Sequence, residues 1–315
     1  MILGEVKNRI KSDFDKACKS IKIPEVEEWF DIYFSRFFGY YLALISRFFG
    51  LSPHQVSLLS LLSGFVAGYL FFFQEDLTLV LWACFFITFS GLLDSADGQL
   101  ARMTNTASDL GRKIDAIIDT FVFVACYVGG SLYFFMDTPY GWYIFPLAVL
   151  AGYSHSAKSA AYEFYKTEFM YYLGNDSGYR IPNVSDLKTE KRQTGFWNTC
   201  LYYLELDYTG KQDFFVSRSY ETRLKFESWA QESTGSKFIE LYKKYNHSIL
   251  TWWALTCGTN VHRTVLMISS CFGRMDLYFY FSIVGFIPYM VVNRFQKKKD
   301  DQLQKEMNSA TILNA

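Results

Sequence analysis

The chain has 315 residues, with 31 basic and 31 acidic side chains, and half of its residues are apolar. Without net charge, nothing in it marks a nucleic-acid-binding surface. Its six cysteines (Cys18, Cys84, Cys126, Cys200, Cys257, Cys271) form no CxxC or CxxxC pair, which supports neither a zinc site nor a disulfide framework and points to buried free thiols.

The apolar residues gather into long blocks separated by charged stretches, and a mean hydropathy near zero is that of such blocks diluted by a polar insert. This pattern predicts an all-α, polytopic membrane protein. The N-terminal stretch MILGEVKNRIKSDFDKACKSIK is charged and amphipathic, without the apolar core of a cleavable signal peptide. Ile32–Gly50 then sets Arg36 and Arg47 among aromatic residues, which predicts an interfacial helix along the membrane surface; a seventh span is the alternative. Leu51–Ser57 turns the chain into the first span, with Pro53 in the first helical turn, where its missing N–H is not needed.

Transmembrane helices are expected at 54–73, 77–97, 113–136, 142–164, 248–271 and 276–294. The connections at Gln74–Asp76 and Met136–Tyr140 are short enough to make antiparallel hairpins. Basic residues cluster in the N-terminal segment, in the loop after the second span (Arg102, Arg112, Lys113) and in the tail (Arg294, Lys297, Lys298, Lys299). An even number of spans puts all three clusters on one side, and the positive-inside rule makes that side cytoplasmic. The layout is then 1–50 cytoplasmic segment and interfacial helix, 51–164 spans one to four, 165–246 cytoplasmic helical insert, 247–296 spans five and six, and 297–315 charged tail. Within the insert, ETRLKFESWAQE and SKFIELYKKY read as helices and LGNDSGYRIPNVSD as a loop.

The chemistry-bearing segment is GLLDSADGQLARMTNTASDLGRKIDAIIDT, residues 91–120. It sets Asp94, Asp97, Asp115 and Asp119 in or at the edges of apolar helices, where each carboxylate costs about 3 kcal/mol even on the lenient insertion scale. Residues three and four apart return to one helix face, so Asp94 and Asp97 share a face of the second span, and Asp115 and Asp119 share a face of the third. Joined by a short loop, these antiparallel neighbours bring four carboxylates to one point near the cytoplasmic end. Four hard oxygen donors suit Mg²⁺ or Mn²⁺, and two such ions would also bind a diphosphate. The small residues Gly98, Ala101 and Gly111 let a ligand or helix approach the backbone, and Arg102 is placed to meet phosphate charge.

The segment Asp94-x2-Asp97-Gly98-x2-Ala101-Arg102-x8-Gly111-x3-Asp115-x3-Asp119 resembles the complete motif of the CDP-alcohol phosphatidyltransferases. The resemblance extends to the order of an interfacial helix followed by six spans, and the long insert departs from compact members. It implies a metal-dependent phosphotransferase with Asp94, Asp97 and Asp115 as metal ligands. Asp119 would be both a ligand and the general base. Gly98, Ala101 and Arg102 would line the CDP site, with Gly111 nearby. The implied reaction passes a phosphatidyl-type group from a CDP-activated lipid to an alcohol and releases CMP. Relatives often form homodimers, which makes a dimer the expectation here.

Other polar residues leave more than one reading open. Arg112 and Lys113 anchor to lipid phosphates or bind the acceptor. His155 and Lys158 share a face at the end of the fourth span, where Lys158 either snorkels to the interface or meets a phosphorylated acceptor. Arg263, with His262, lies in the middle of the fifth span, and an acceptor pocket and a structural pairing fit it equally. Because Arg112, Lys158 and Arg263 add cations around the cavity, an inositol phosphate or similar polyol phosphate is the favoured acceptor. The alternatives are transfer of a choline or ethanolamine head group from its CDP derivative to a lipid alcohol, and, in another class, a divalent-metal transporter.

Overall fold

A computed structural model describes residues 30–173, 181–189, 195–231 and 235–314. The N-terminal basic stretch therefore lies outside the described residues. Every regular element among them is helical. After one π-helical turn at Asp31–Ser35 come α1 (Arg36–Phe48), α2 (Pro53–Leu70), α3 (Leu77–Met103), α4 (Asp109–Asp137) and α5 (Ile144–Leu173). The insert holds α6 (Val184–Thr189), α7 (Phe196–Phe215) and α8 (Tyr220–Gln231). Helices α9 (Gly235–Cys257), α10 (Thr259–Cys271), α11 (Met275–Val284) and α12 (Phe286–Asn314) complete the chain.

Three helices among the described residues are long and apolar enough to cross a membrane: Leu77–Met103, Ile117–Asp137 and Met275–Ser309. The other expected spans are also helical. Two expected spans are interrupted. The stretch 248–271 breaks at Gly258, between α9 and α10. The stretch 276–294 lies inside the longer span Met275–Ser309 and leaves the helix at the single residue Gly285, where Pro288 has no N–H to give the Val284 carbonyl, the last residue of α11. The expected loop at 173–186 ends sooner than its sequence implies, because Val184 already opens α6.

The chain forms two compact units. One comprises Met1–Tyr153 with His262–Ile283, the other Ser154–Val261 with Val284–Ala315. In the first, α2 starts in a capping box, in which the Ser52 hydroxyl accepts from the Gln55 N–H and the Gln55 side chain accepts from the Ser52 N–H. Asp76 caps α3 by accepting from the N–H groups of Thr78 and Leu79. Helices α2 and α4 cross at backbone contact: a Cβ on Gly68 would stand 2.6 Å from the Ala125 carbonyl carbon, and one on Gly129 would strike the Gly68 carbonyl. The core around this crossing holds Ala67, Phe71, Ile87, Val122, Cys126, Leu266 and Phe279. Ser60 and Ser63 tie α2 to α3 by donating to the carbonyls of Ser90 and Phe86, at 2.9 and 2.8 Å.

The second unit is organised around Arg218, between α7 and α8. Its guanidinium is buried. It donates to both Asp300 carboxylate oxygens (2.9 and 2.5 Å), to Glu168, to the Tyr242 hydroxyl (3.1 Å) and to the Asn246 carbonyl oxygen (3.2 Å). Gln296 closes the network by donating to Asn246 and Asp300. Burial pushes the Tyr242 phenol up to about 12, so it stays neutral, accepting from Arg218 and donating to Glu168. The rings of Tyr165, Phe226 and Tyr242 surround the cation.

Candidate functional site

The C-terminal half of α3 and the first turns of α4 carry the acidic motif. Five residues, Thr104–Ser108, reverse the chain between them. Asn105 takes the left-handed conformation (φ 55°), which asparagine tolerates better than most residues. The Thr104 hydroxyl donates to the Leu100 carbonyl at 2.8 Å, and Ser108 caps α4 by accepting from the Gly111 N–H at 3.1 Å. This tight reversal sets the two acidic faces against each other.

Asp94, Asp97 and Asp115 each offer a carboxylate oxygen, and those atoms lie within 4.8 Å of one another. Asp97 is buried, and Asp94 and Asp115 are half-buried. One oxygen each of Asp94 and Asp115 is enclosed without a hydrogen-bond partner. Ser57, on α2, donates its hydroxyl to Asp97. Asp94 and Asp115 also come within hydrogen-bonding reach of each other, which ionised carboxylates do only with a proton or a cation between them. An all-carboxylate donor set with unpaired, enclosed oxygens fits a hard divalent cation such as Mg²⁺ or Mn²⁺.

The structure therefore gathers three of the four expected ligands into one cluster. Asp119 follows one turn after Asp115, near enough to act on the charges of Asp97 and Asp115, but stands outside the 4.8 Å group. Arg102 is an electrostatic neighbour of Asp97. A Cβ added to Gly98 would meet only the Arg102 guanidinium, at 3.7 Å and beyond, so the wall beside Gly98 is open. Ala101 is half-buried one turn along α3, and Gly111 sits against its Ser108 cap.

The expected acceptor residues divide differently. Arg263, on α10, is buried against Gly91 and acts through its charge on Asp94. Lys158 is fully buried in the second unit. The side chain of Arg112 lies outside the described residues.

Two residues escaped the sequence reading. Ser57 was visible only as part of the polar run that opens α2, and its role on Asp97 needs the α2–α3 packing. Gly91 sits one turn before Asp94, and its spacing was a usable signal. A glycine there needed an explanation that only the position of Arg263 supplies.

These observations define an integral membrane protein, helical among its described residues, with a cluster of carboxylates between two antiparallel helices. Residues 51–159 match the family model of CDP-alcohol phosphatidyltransferase. No curated protein and no solved structure matches the chain. A domain of that family transfers a phosphatidyl-type group from a CDP-alcohol in lipid biosynthesis.

Proposed function

We propose that the protein transfers a phosphatidyl group from a CDP-diacylglycerol-like lipid to a phosphorylated polyol such as inositol phosphate, releasing CMP on the cytoplasmic side. The observation that carries this reading is the approach of Asp94, Asp97 and Asp115 with enclosed, unpaired oxygens. A transporter would need its carboxylates distributed along a path, whereas these sit together beside an open glycine wall and Arg102.

In this reading Asp94, Asp97, Asp115 and Asp119 hold two Mg²⁺ or Mn²⁺ ions. When bound, the ions supply positive charge against the donor diphosphate and the departing CMP. Gly98 and Ala101 leave room for the cytidine diphosphate along α3, with Gly111 nearby, and Arg102 meets phosphate charge. Asp119, set apart from the three-carboxylate group, takes the proton of the acceptor hydroxyl. That oxygen bonds to the β-phosphorus, the bond from this phosphorus to the CMP oxygen breaks, and CMP leaves with the electron pair. Arg263 and Arg112 are assigned to the acceptor because an acceptor with its own phosphate needs cations beyond those serving the donor. A homodimer is proposed with the family resemblance as its support.

The test is CMP release by the purified full-length chain from CDP-diacylglycerol, with Mg²⁺ or Mn²⁺, across a panel of phosphorylated and free alcohols. Turnover abolished by chelation and highest with a polyol phosphate is expected. Turnover that ignores chelation, or none with any alcohol, overturns the assignment.

A further inference from the structure

Arg263 is 8 % exposed, and its Nε is buried without a hydrogen-bond partner. Among the described residues no ion pair joins it to a carboxylate, yet it lies close enough to Asp94 to act on its charge. A cation enclosed this way, against helices that cross a membrane, costs several kcal/mol unless a ligand or a counter-charge compensates. Room for it comes from the absence of a side chain on α3. A Cβ at Gly91 would stand 2.8 Å from the guanidinium carbon and closer still to one terminal nitrogen, so any larger residue displaces the group. Gly91 lies three residues before Asp94, on the same face of α3. The groove it leaves aims a planar, five-donor cation at the edge of the carboxylate cluster.

We infer that Gly91 and Arg263 form one device, in which Gly91 is the positioning residue and Arg263 the group that binds the phosphate monoester of the acceptor. This deepens the proposed function and rests on it. The ions assigned to the carboxylates serve the donor diphosphate, so a fixed guanidinium at the edge of the cluster supplies the separate counter-charge that a phosphate monoester dianion on the acceptor needs. Its planar fork pairs two phosphate oxygens at once, which an ammonium does not reproduce. A polyol without phosphate gains nothing from it. The pair is thus a selectivity determinant that lies outside the acidic motif.

The experiment compares the wild-type chain with Arg263→Gln, Arg263→Lys and Gly91→Ala in lipid nanodiscs, measuring CMP release with inositol phosphate, free inositol and CDP-diacylglycerol each varied in turn. Losing charge-assisted hydrogen bonds predicts a rise of about 10- to 100-fold in KM for the phosphorylated acceptor in Arg263→Gln. The KM for the CDP-lipid should stay within about twofold. Arg263→Lys should recover part of the loss, and Gly91→Ala should shift the phosphorylated-to-free acceptor preference in the same direction as Arg263→Gln. A uniform fall in kcat with every acceptor, at unchanged KM, would make Arg263 a counter-ion of Asp94 and overturn the inference. So would a Gly91→Ala chain with wild-type acceptor preference. Wild-type transfer to free alcohols only would remove the inference and leave a transferase, whereas wild-type silence with every alcohol would remove the transferase reading itself. Thermal unfolding of each variant separates these outcomes from loss of fold, and Arg263→Lys, which keeps the charge but not the planar fork, carries the test if the glutamine variant unfolds.

Discussion

In the second unit the carboxylates of Glu168 and Asp300 are buried and fully occupied: Arg218 lies between them, and Tyr242, Asn246 and Gln296 take the remaining contacts. In the first unit carboxylate oxygens of Asp94, Asp97 and Asp115 lie within 4.8 Å of one another; Ser57 and the Gly98 N–H meet Asp97, Arg263 and Arg102 act through charge, and one oxygen each of Asp94 and Asp115 is left without a hydrogen-bond partner. One cluster is complete as the chain folds it, the other only with something added. Buried charge that the protein neutralises holds a fold together, and buried charge that it leaves open marks a place for a ligand.

Three substitutions test that contrast. Asp97→Asn should reduce CMP release by about a thousandfold, roughly 4 kcal/mol of barrier, because it removes a donor from the middle of the cluster. The same change relieves like-charge repulsion and keeps an acceptor for Ser57, so the thermal midpoint should not fall; a lower midpoint would mean that the cluster is structural after all. Arg218→Met should do the reverse. Stranding two buried carboxylates should destabilise the second unit by about 3–5 kcal/mol. Denaturant unfolding or faster proteolysis of the 181–231 segment would show it, and unchanged stability would break the comparison. Ser57→Ala is the smallest of the three: loss of a donor behind a metal ligand typically lowers metal affinity by about 10- to 100-fold. Titrating activity with Mg²⁺ should show a higher half-saturation point and a largely retained plateau.

The acidic motif could be read from the sequence because helical periodicity is local. Residues three and four apart must share a face, so the pairing of Asp94 with Asp97, and the approach of Asp115, needed only helices and a short loop. The interruptions of the expected spans were less legible. Pro288 was visible, but an apolar window averages across a break and reports hydrophobicity rather than hydrogen bonding. Arg218 was noted only as one of several basic residues of the insert, because its partners Glu168, Asn246 and Asp300 are separated from it by 50, 28 and 82 positions.

The order of the residues by itself determined the helical class, the apolar blocks and the face on which the acidic residues gather. These follow from periodicity and from the cost of placing charge in an apolar helix, both acting over a few turns. Tertiary structure alone decided that Ser57 reaches Asp97, that Arg263 fills the space Gly91 leaves, and that Arg218 is satisfied where the motif carboxylates are not. Each depends on which helices pack together, and contact between residues far apart in the chain leaves no periodic trace in a single sequence.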